Sequence, residues 1–279
     1  MPIRLIAIDL DGTLLNSNSE LSPRNRLALD RAHGAGIDIV VATGRRWHAA
    51  RRYVEQIPFP VTVISSNGAM TTSPEGEVLF RHFLLRDTAL EILTATRQFR
   101  PYAAVLFDVP GRGQILMQDC AVPEGPLAWY LRNSAHLLQM EPDIEKTFPV
   151  DPIQVLFGGP PPLVETIEPV VRVSGAAPRV HLSWTKYLSR NISLLDVMTL
   201  GCSKGAALER WARHRGIRPA EIMAIGDNHN DLEMLSFAAH PVVMSNHSPG
   251  LPHEGWTRTL SNDEDGVAAA IESHISIQA

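Results

Sequence analysis

Cysteine is nearly absent. Cys120 and Cys202 are the only two in 279 residues, too few and too far apart for a disulfide framework or a zinc cluster. Aromatic residues make up 6% of the chain, and no apolar run approaches the ~20 residues that a membrane-spanning helix needs. Neither sign of charge is in excess: 25 basic and 30 acidic residues give a formal net charge of −5. The concentrated positive surface that nucleic acid or an anionic membrane requires is therefore not expected, whereas a small anionic ligand needs only one locally positive pocket. The 21 prolines and 19 glycines have no period, which excludes collagen and low-complexity chains. The apolar start at 1–8 meets Asp9 and Asp11 before a signal-peptide hydrophobic region is complete, so a reducing cytoplasm is the expected setting. Without a secretory route, the glycosylation patterns Asn191-Ile192-Ser193 and Asn246-His247-Ser248 carry no weight.

What is present is an ordinary globular composition, 44% hydrophobic and 20% charged, at a length that suits about two domains. The first third alternates strands at 3–8, 37–41 and 61–65 with helices, one opening at Ser22-Pro23 and one at 46–56. The last third alternates likewise, with helices at 203–215, 231–237 and 266–275 and strands at 221–225 and 241–244. That alternation predicts an α/β fold with a Rossmann-like, doubly wound parallel sheet. The middle is mixed, with helices at 86–99, 126–138 and 163–173 and strands at 103–107, 115–118, 153–157, 179–184 and 192–197. The simplest architecture is a discontinuous core, 1–84 and 190–279, with an inserted α+β domain at 85–189.

The chemistry-bearing residues collect where strands end. Asp9-Leu10-Asp11-Gly12-Thr13-Leu14 follows the first strand, and in an open α/β sheet ligands bind beyond the carboxyl ends of strands. Gly12 allows a turn that exposes backbone N–H groups to a phosphate; an Asp-Gly turn with two solvated carboxylates is the plain alternative. Thr43-Gly44-Arg45 ends the second strand with a hydroxyl, a close-approach glycine and a guanidinium, which suits an oxyanion, or a simple helix cap. Gly226-Asp227-Asn228-His229-Asn230-Asp231 follows a later strand; Asp231 suits both a helix cap and a site residue, and His229 reads as an incidental loop histidine. Lys204 opens a helix, where the dipole disfavours a cation by a few tenths to about 1 kcal/mol unless an anion lies between them. If Asp9, Asp11, Asp227 and Asp231 share one sheet edge, bare carboxylates ~4 Å apart repel by about 4 kcal/mol. Shared protons or a hard divalent cation relieve this, and Mg²⁺ fits best because it also binds phosphate oxygens.

These four pieces in this order resemble the haloacid dehalogenase superfamily of phosphohydrolases: Asp9-Leu10-Asp11-Gly12-Thr13 its first motif, Thr43 its second, Lys204 its third, and the 226–231 segment its fourth. The room between Thr43 and Lys204 suits the large α/β cap of the Cof-type branch, which Ser65-Ser66-Asn67-Gly68-Ala69 and Leu235 also resemble. The resemblance implies that Asp9 attacks phosphorus and that Asp11 protonates the leaving group, then activates water. It implies that Thr43 and Lys204 hold the phosphoryl oxygens, with Asn230 orienting the phosphate or Asp227; Gly12, Gly44 and Arg45, from the residue pattern itself, are expected to line the same cradle. Mg²⁺ would be bound by Asp9, the carbonyl of Asp11 and Asp227, with Asp231 behind them. Arg45, Arg46 and Asn67 are expected at the entrance. The expected function is hydrolysis of a small phosphorylated metabolite (a sugar phosphate, nucleotide or phosphorylated cofactor) by a monomer or small homo-oligomer. A phosphomutase or phosphotransferase with the same chemistry, and a silent phospho-ligand-binding regulator, are the alternatives.

Overall fold

In the computed structural model, residues 2–118, 127, 131–187 and 190–274 are described. They divide into two compact units, Met1–Arg81 with Ser203–Ala279, and His82–Cys202. In chain order the first unit opens with β1 (Leu5–Ile8), α1 (Pro23–Gly34), β2 (Asp38–Ala42), α2 (Trp47–Val54), β3 (Thr62–Ser65), β4 (Met70–Thr72) and β5 (Val78–Arg81). The second unit holds α3 (Arg86–Ala95), β6 (Ala103–Leu106), β7 (Ile115–Gln118), β8 (Leu138–Glu141), β9 (Gln154–Gly159), α4 (Pro161–Val173), β10 (Val180–Tyr187) and β11 (Ile192–Thr199). The chain returns to the first unit with α5 (Lys204–His214), β12 (Ile222–Gly226), α6 (Leu232–Phe237), β13 (His240–Val243), β14 (Thr257–Arg258) and α7 (Gly266–His274).

The core sheet runs β14-β13-β12-β1-β2-β3-β4-β5. Ile6 and Ile8 of β1 face one apolar layer with Leu29 of α1, Ala50 of α2 and Ile271 of α7. Leu5 and Ala7 face the other, with Leu208 and Trp211 of α5 and Leu235 of α6. A strand covered on both faces must be apolar throughout, which is why 3–8 lacks the alternation of a half-exposed strand. Side chains set the helix starts. Ser22 Oγ accepts the Asn25 N–H, with Pro23 in the first turn of α1, and Ser203 Oγ accepts the Ala206 N–H to open α5.

The core sheet is mixed rather than purely parallel. β3, β4 and β5 pair antiparallel, because residues 66–69 are too short a link for the crossover that a parallel neighbour needs. The three-residue β4, with two threonines, carries no periodic signal in the sequence. The strands that matter for ligand binding are parallel, as expected. From β1 the chain steps outward through β2 and β3 on one side, and from β12 through β13 and β14 on the other. The reversal leaves a crevice beyond the carboxyl ends of β1 and β12, the switch point at which open α/β sheets bind ligands.

The cap is an α+β unit whose sheet runs β10-β11-β9-β6-β7-β8, antiparallel except between β7 and β8. α3 and α4 cover one face through Ile92, Leu93, Val164 and Ile167, packed against Val155, Phe157 and Leu195. β11 pairs with β9 and β10, so the boundary expected at 189/190 falls after this strand, at 202/203. Of the helix expected at 126–138, positions 126 and 128–130 lie outside the described residues, as do Cys120 and Trp129. Arg132–Leu137 forms a 3₁₀ turn that leads into β8. No helix among the described residues is long and apolar enough to cross a membrane.

Phe157 is fully buried in the cap core. Phe157→Ala is expected to cost about 3–5 kcal/mol, measured as a lower denaturant midpoint. Val173→Ala, at a position 85% exposed, is expected to change stability by less than about 0.5 kcal/mol.

Candidate active site

Asp9 and Asp227 are the residues that follow β1 and β12, and the pairing of Ile8 with Ile225 sets them side by side at the switch point. With Asp231 they form a buried trio whose carboxylate oxygens lie within 4.8 Å of one another. Lys204 enters from the first turn of α5. Its ammonium donates to Asp9 Oδ1 and to Asp231 Oδ1, each at 2.6 Å, and the residue is only 1% exposed. A lysine at the positive end of a helix is thus stabilised by carboxylates. Asp231 commits both oxygens to the protein, because Oδ2 also accepts the backbone N–H groups of Asp227 at 3.1 Å and Asn228 at 3.0 Å. It caps the turn and anchors Lys204 at once. Asp227 accepts the Thr13 hydroxyl at 2.8 Å.

With all three acids ionised, one ammonium leaves a surplus of two negative charges in a dry pocket. Burial pushes the Asp9 carboxyl up to about 7 against the pull of Lys204, and the charges of Asp231 and Asp11 add to the rise. Asp227 is raised well above the ordinary aspartate range by burial and then by Asp9 and Asp231, with Thr13 and Lys204 opposing only in part. Burial disfavours the Lys204 charge, but Asp231 and Asp9 outweigh it and hold the group above the usual lysine value. Hard oxygen donors with surplus negative charge fit a divalent cation. Gly12 keeps the space beside them open: its φ is +84°, and a Cβ there would stand 2.6 Å from Asp227 Oδ2. Asn246 braces the same turn by donating to the Gly12 carbonyl at 2.8 Å.

Asp11 stands apart from the trio. Its carboxylate, 31% exposed, is gripped by Arg45 through Nε at 2.6 Å and a terminal nitrogen at 2.5 Å. The metal ligand that the resemblance gives Asp11 is its carbonyl, so the side chain's absence from the trio leaves that reading untouched. Arg45, expected in the phosphoryl cradle, is here the partner of Asp11 and stacks over Tyr53 with its guanidinium 4.4 Å from the ring centre. Thr43 is buried after β2, and its hydroxyl accepts the Arg45 N–H at 3.1 Å. Asn230 Nδ2 donates to Asn67 Oδ1 at 2.9 Å, beside Gly44. Arg46 is buried at the start of α2. Sequence reasoning gave no role to Thr13 or Asn246, whose partners lie more than 200 positions away and leave no local signal.

The family profile described as haloacid dehalogenase-like hydrolase matches residues 6–271. The chain belongs to this family. It is 30% identical over 284 residues to the phosphatase YwpJ of Bacillus subtilis, covering 95% of this chain and 98% of that one. It is 32% identical over 248 residues to an HMP-PP phosphatase of Serratia proteamaculans, covering 89% and 86%. A solved haloacid dehalogenase-like hydrolase from B. subtilis superposes with a TM-score of 0.80 at 28% identity, covering 98% of this chain and all of that one. The chain is accordingly a phosphatase of the haloacid dehalogenase type, a phosphoric monoester hydrolase with an inserted cap.

In this haloacid dehalogenase-type phosphatase the raised carboxyls fix a pH dependence. A carboxyl whose pKa rises on folding binds its proton more tightly in the native state, so the native state is favoured at low pH and loses that advantage as pH climbs from about 4 to about 7. The metal-free protein is expected to lose thermal stability from about pH 4 to about pH 7. Added Mg²⁺ is expected to raise the melting temperature more at the upper end of that range than at the lower, because cation and proton compete for the same oxygens. Differential scanning fluorimetry of chelator-treated protein checks both.

Proposed function

We propose that this phosphatase is Mg²⁺-dependent and works through an aspartyl-phosphate on Asp9, acting on a small phosphorylated metabolite in the cytoplasm. The observation that carries the reading is the buried Asp9, held at Oδ1 by Lys204 inside the carboxylate trio at the switch point. Lys204 fixes the rotation of the carboxylate, so one oxygen is aimed and the substrate's phosphorus meets a pre-positioned nucleophile. Asp9 attacks phosphorus, the bond to the leaving alkoxide breaks, and Asp11 donates the proton that the alkoxide takes. Asp11 then removes a proton from water, which attacks the aspartyl-phosphate and frees inorganic phosphate and Asp9. An acid that must next serve as a base cannot be the nucleophile, which accounts for two aspartates in the first motif. Both oxygens of Asp11 are occupied by Arg45, so that pair opens before proton transfer. Thr43, Gly44 and the N–H groups of the Gly12 turn hold the phosphoryl oxygens, and Lys204 adds its charge. Asp9, Asp227 and the Asp11 carbonyl would hold Mg²⁺, whose charge would let a carboxylate approach a phosphate dianion.

A relative that carries the name HMP-PP phosphatase supports a small phosphorylated metabolite as the substrate class. Transfer to a sugar hydroxyl instead of water uses the same first step, and the chase experiment below separates the two. A silent binding module is disfavoured because Asp9, Asp11, Lys204 and Asp227 are all present in the core unit.

Phosphate release from 4-nitrophenyl phosphate is expected to require Mg²⁺, to stop on chelation and to be abolished in Asp9→Asn. Acid-quenched protein given ³²P-labelled substrate is expected to carry label, which water chases faster than any sugar. Wild-type turnover in Asp9→Asn would refute the nucleophile; a label that only a hydroxyl acceptor discharges would make the enzyme a transferase.

A further inference from the structure

The turn that joins β3 to β4 is the most strained segment beside the site. Ser66, Asn67 and Gly68 have φ of +50°, +52° and +101° in succession. Two of them are side-chain-bearing residues in the left-handed region, where each costs of the order of 1 kcal/mol or more. Asn67-Gly68 is the pair that tolerates such a turn best, since asparagine and glycine enter this region most readily. The hydroxyl of Ser66 is buried without a hydrogen-bond partner among the described residues, a second unfavourable feature. Strain and an orphaned polar atom persist where the surroundings over-determine them.

The surroundings do so from three directions. The Ser66 N–H donates to the Arg45 carbonyl at 2.8 Å and the Asn67 N–H to the Thr43 carbonyl at 3.0 Å, tying the turn to the loop after β2. Gly68 is seated on the start of α5, where a Cβ would stand 2.1 Å from the Ser203 carbonyl oxygen and 3.1 Å from the Lys204 nitrogen. The Asn67 carboxamide oxygen accepts from Asn230 Nδ2 at 2.9 Å and lies 3.1 Å from where a Gly44 Cβ would be. One turn therefore touches the segments that carry Thr43, Lys204 and Asn230. Asn67 itself is buried, with 2% of its surface exposed.

We infer that Asn67 is a positioning residue for phosphoryl transfer: its left-handed backbone sets the Thr43–Arg45 loop against the start of α5, and its carboxamide fixes the orientation of Asn230. This rests on the phosphatase reading above. A lone hydrogen bond between two side chains would be a weak basis, but here the acceptor sits on a backbone locked by two main-chain bonds and a glycine contact. The Asn230 amide consequently has one resting orientation before a phosphate arrives, and pre-orientation of this kind raises the rate rather than the stability.

Asn67→Gly keeps the left-handed backbone and deletes the carboxamide. It is expected to lower kcat/KM for 4-nitrophenyl phosphate about tenfold, the size of one hydrogen bond lost from a pre-organised site, while the melting temperature stays within ~2 °C. Because Asn67 acts through Asn230, the double variant Asn67→Gly/Asn230→Ala is expected to lose no more than Asn230→Ala alone. Wild-type kcat/KM in Asn67→Gly, or losses that multiply in the double variant, would overturn the inference. If the wild-type chain releases no phosphate in Mg²⁺, the phosphatase reading fails separately. The inference is then decided by inorganic phosphate binding in Mg²⁺, titrated by calorimetry: about tenfold weaker binding in Asn67→Gly upholds it, and equal affinity overturns it.

Discussion

One buried ammonium among three buried carboxylates is the constraint on which the site depends. Lys204 bridges Asp9 and Asp231 at 2.6 Å each, and Asp227 stands within reach of both. A pair of this kind adds little stability, since desolvating the ions offsets much of their attraction. Here the signs do not even balance. Fully ionised, the cluster works against the metal-free fold, and its surplus negative charge fits a site that takes up protons or a cation. Its neighbours serve that imbalance. Thr13 satisfies one oxygen of Asp227, backbone N–H groups satisfy Asp231, and Gly12 keeps the approach to Asp227 free of a side chain.

Sheet topology alone places Asp9 beside Asp227. Asp9 and Asp227 are 218 positions apart in the chain (227 − 9), yet each is the first residue beyond a central strand, and neighbouring parallel strands bring their ends together. Lys204 needs a different device. Ser203 caps α5, so the lysine begins the helix and its side chain reaches the sheet edge. The insertion of the cap between β5 and α5 leaves this geometry intact, because every member of the cluster lies in the core unit.

These relations explain what could be read from the sequence and what could not. Strands covered on both faces appear as short apolar runs, and carboxylates just past two of them mark the switch point. A lysine at the unfavourable end of its helix is likewise a local anomaly that points to an unseen anion. The antiparallel β4–β5 hairpin was hidden because Met70-Thr71-Thr72 has neither length nor alternation. The runs at 179–184 and 192–197 read as strands of the mixed middle, and β11 does pair with β10 and β9; only the domain boundary expected at 189/190 cuts between them. Long-range polar contacts such as Thr13 with Asp227 and Asn246 with Gly12 have no signature at all, since a threonine or an asparagine in a loop looks the same whatever it touches.

The placing of Asp11 outside the buried trio follows from its proposed work. A carboxyl that gives a proton to an alkoxide and later takes one from water must change charge twice in each cycle. Buried among Asp9, Asp227 and Asp231, it would meet their repulsion whenever it ionised. Partly exposed and gripped by Arg45, it has a defined position outside the dry trio, although its charge still reaches Asp9. Arg45 holds that position because it is itself held: its guanidinium lies over Tyr53, with Arg52 against the same ring. A fork fixed by an aromatic face presents two nitrogens in one geometry, where a lysine would offer a mobile point charge. The two aspartates of the first motif, two positions apart, thus occupy environments as different as the two roles proposed for them: one dry and clamped by Lys204, the other partly exposed and held by a single ion pair.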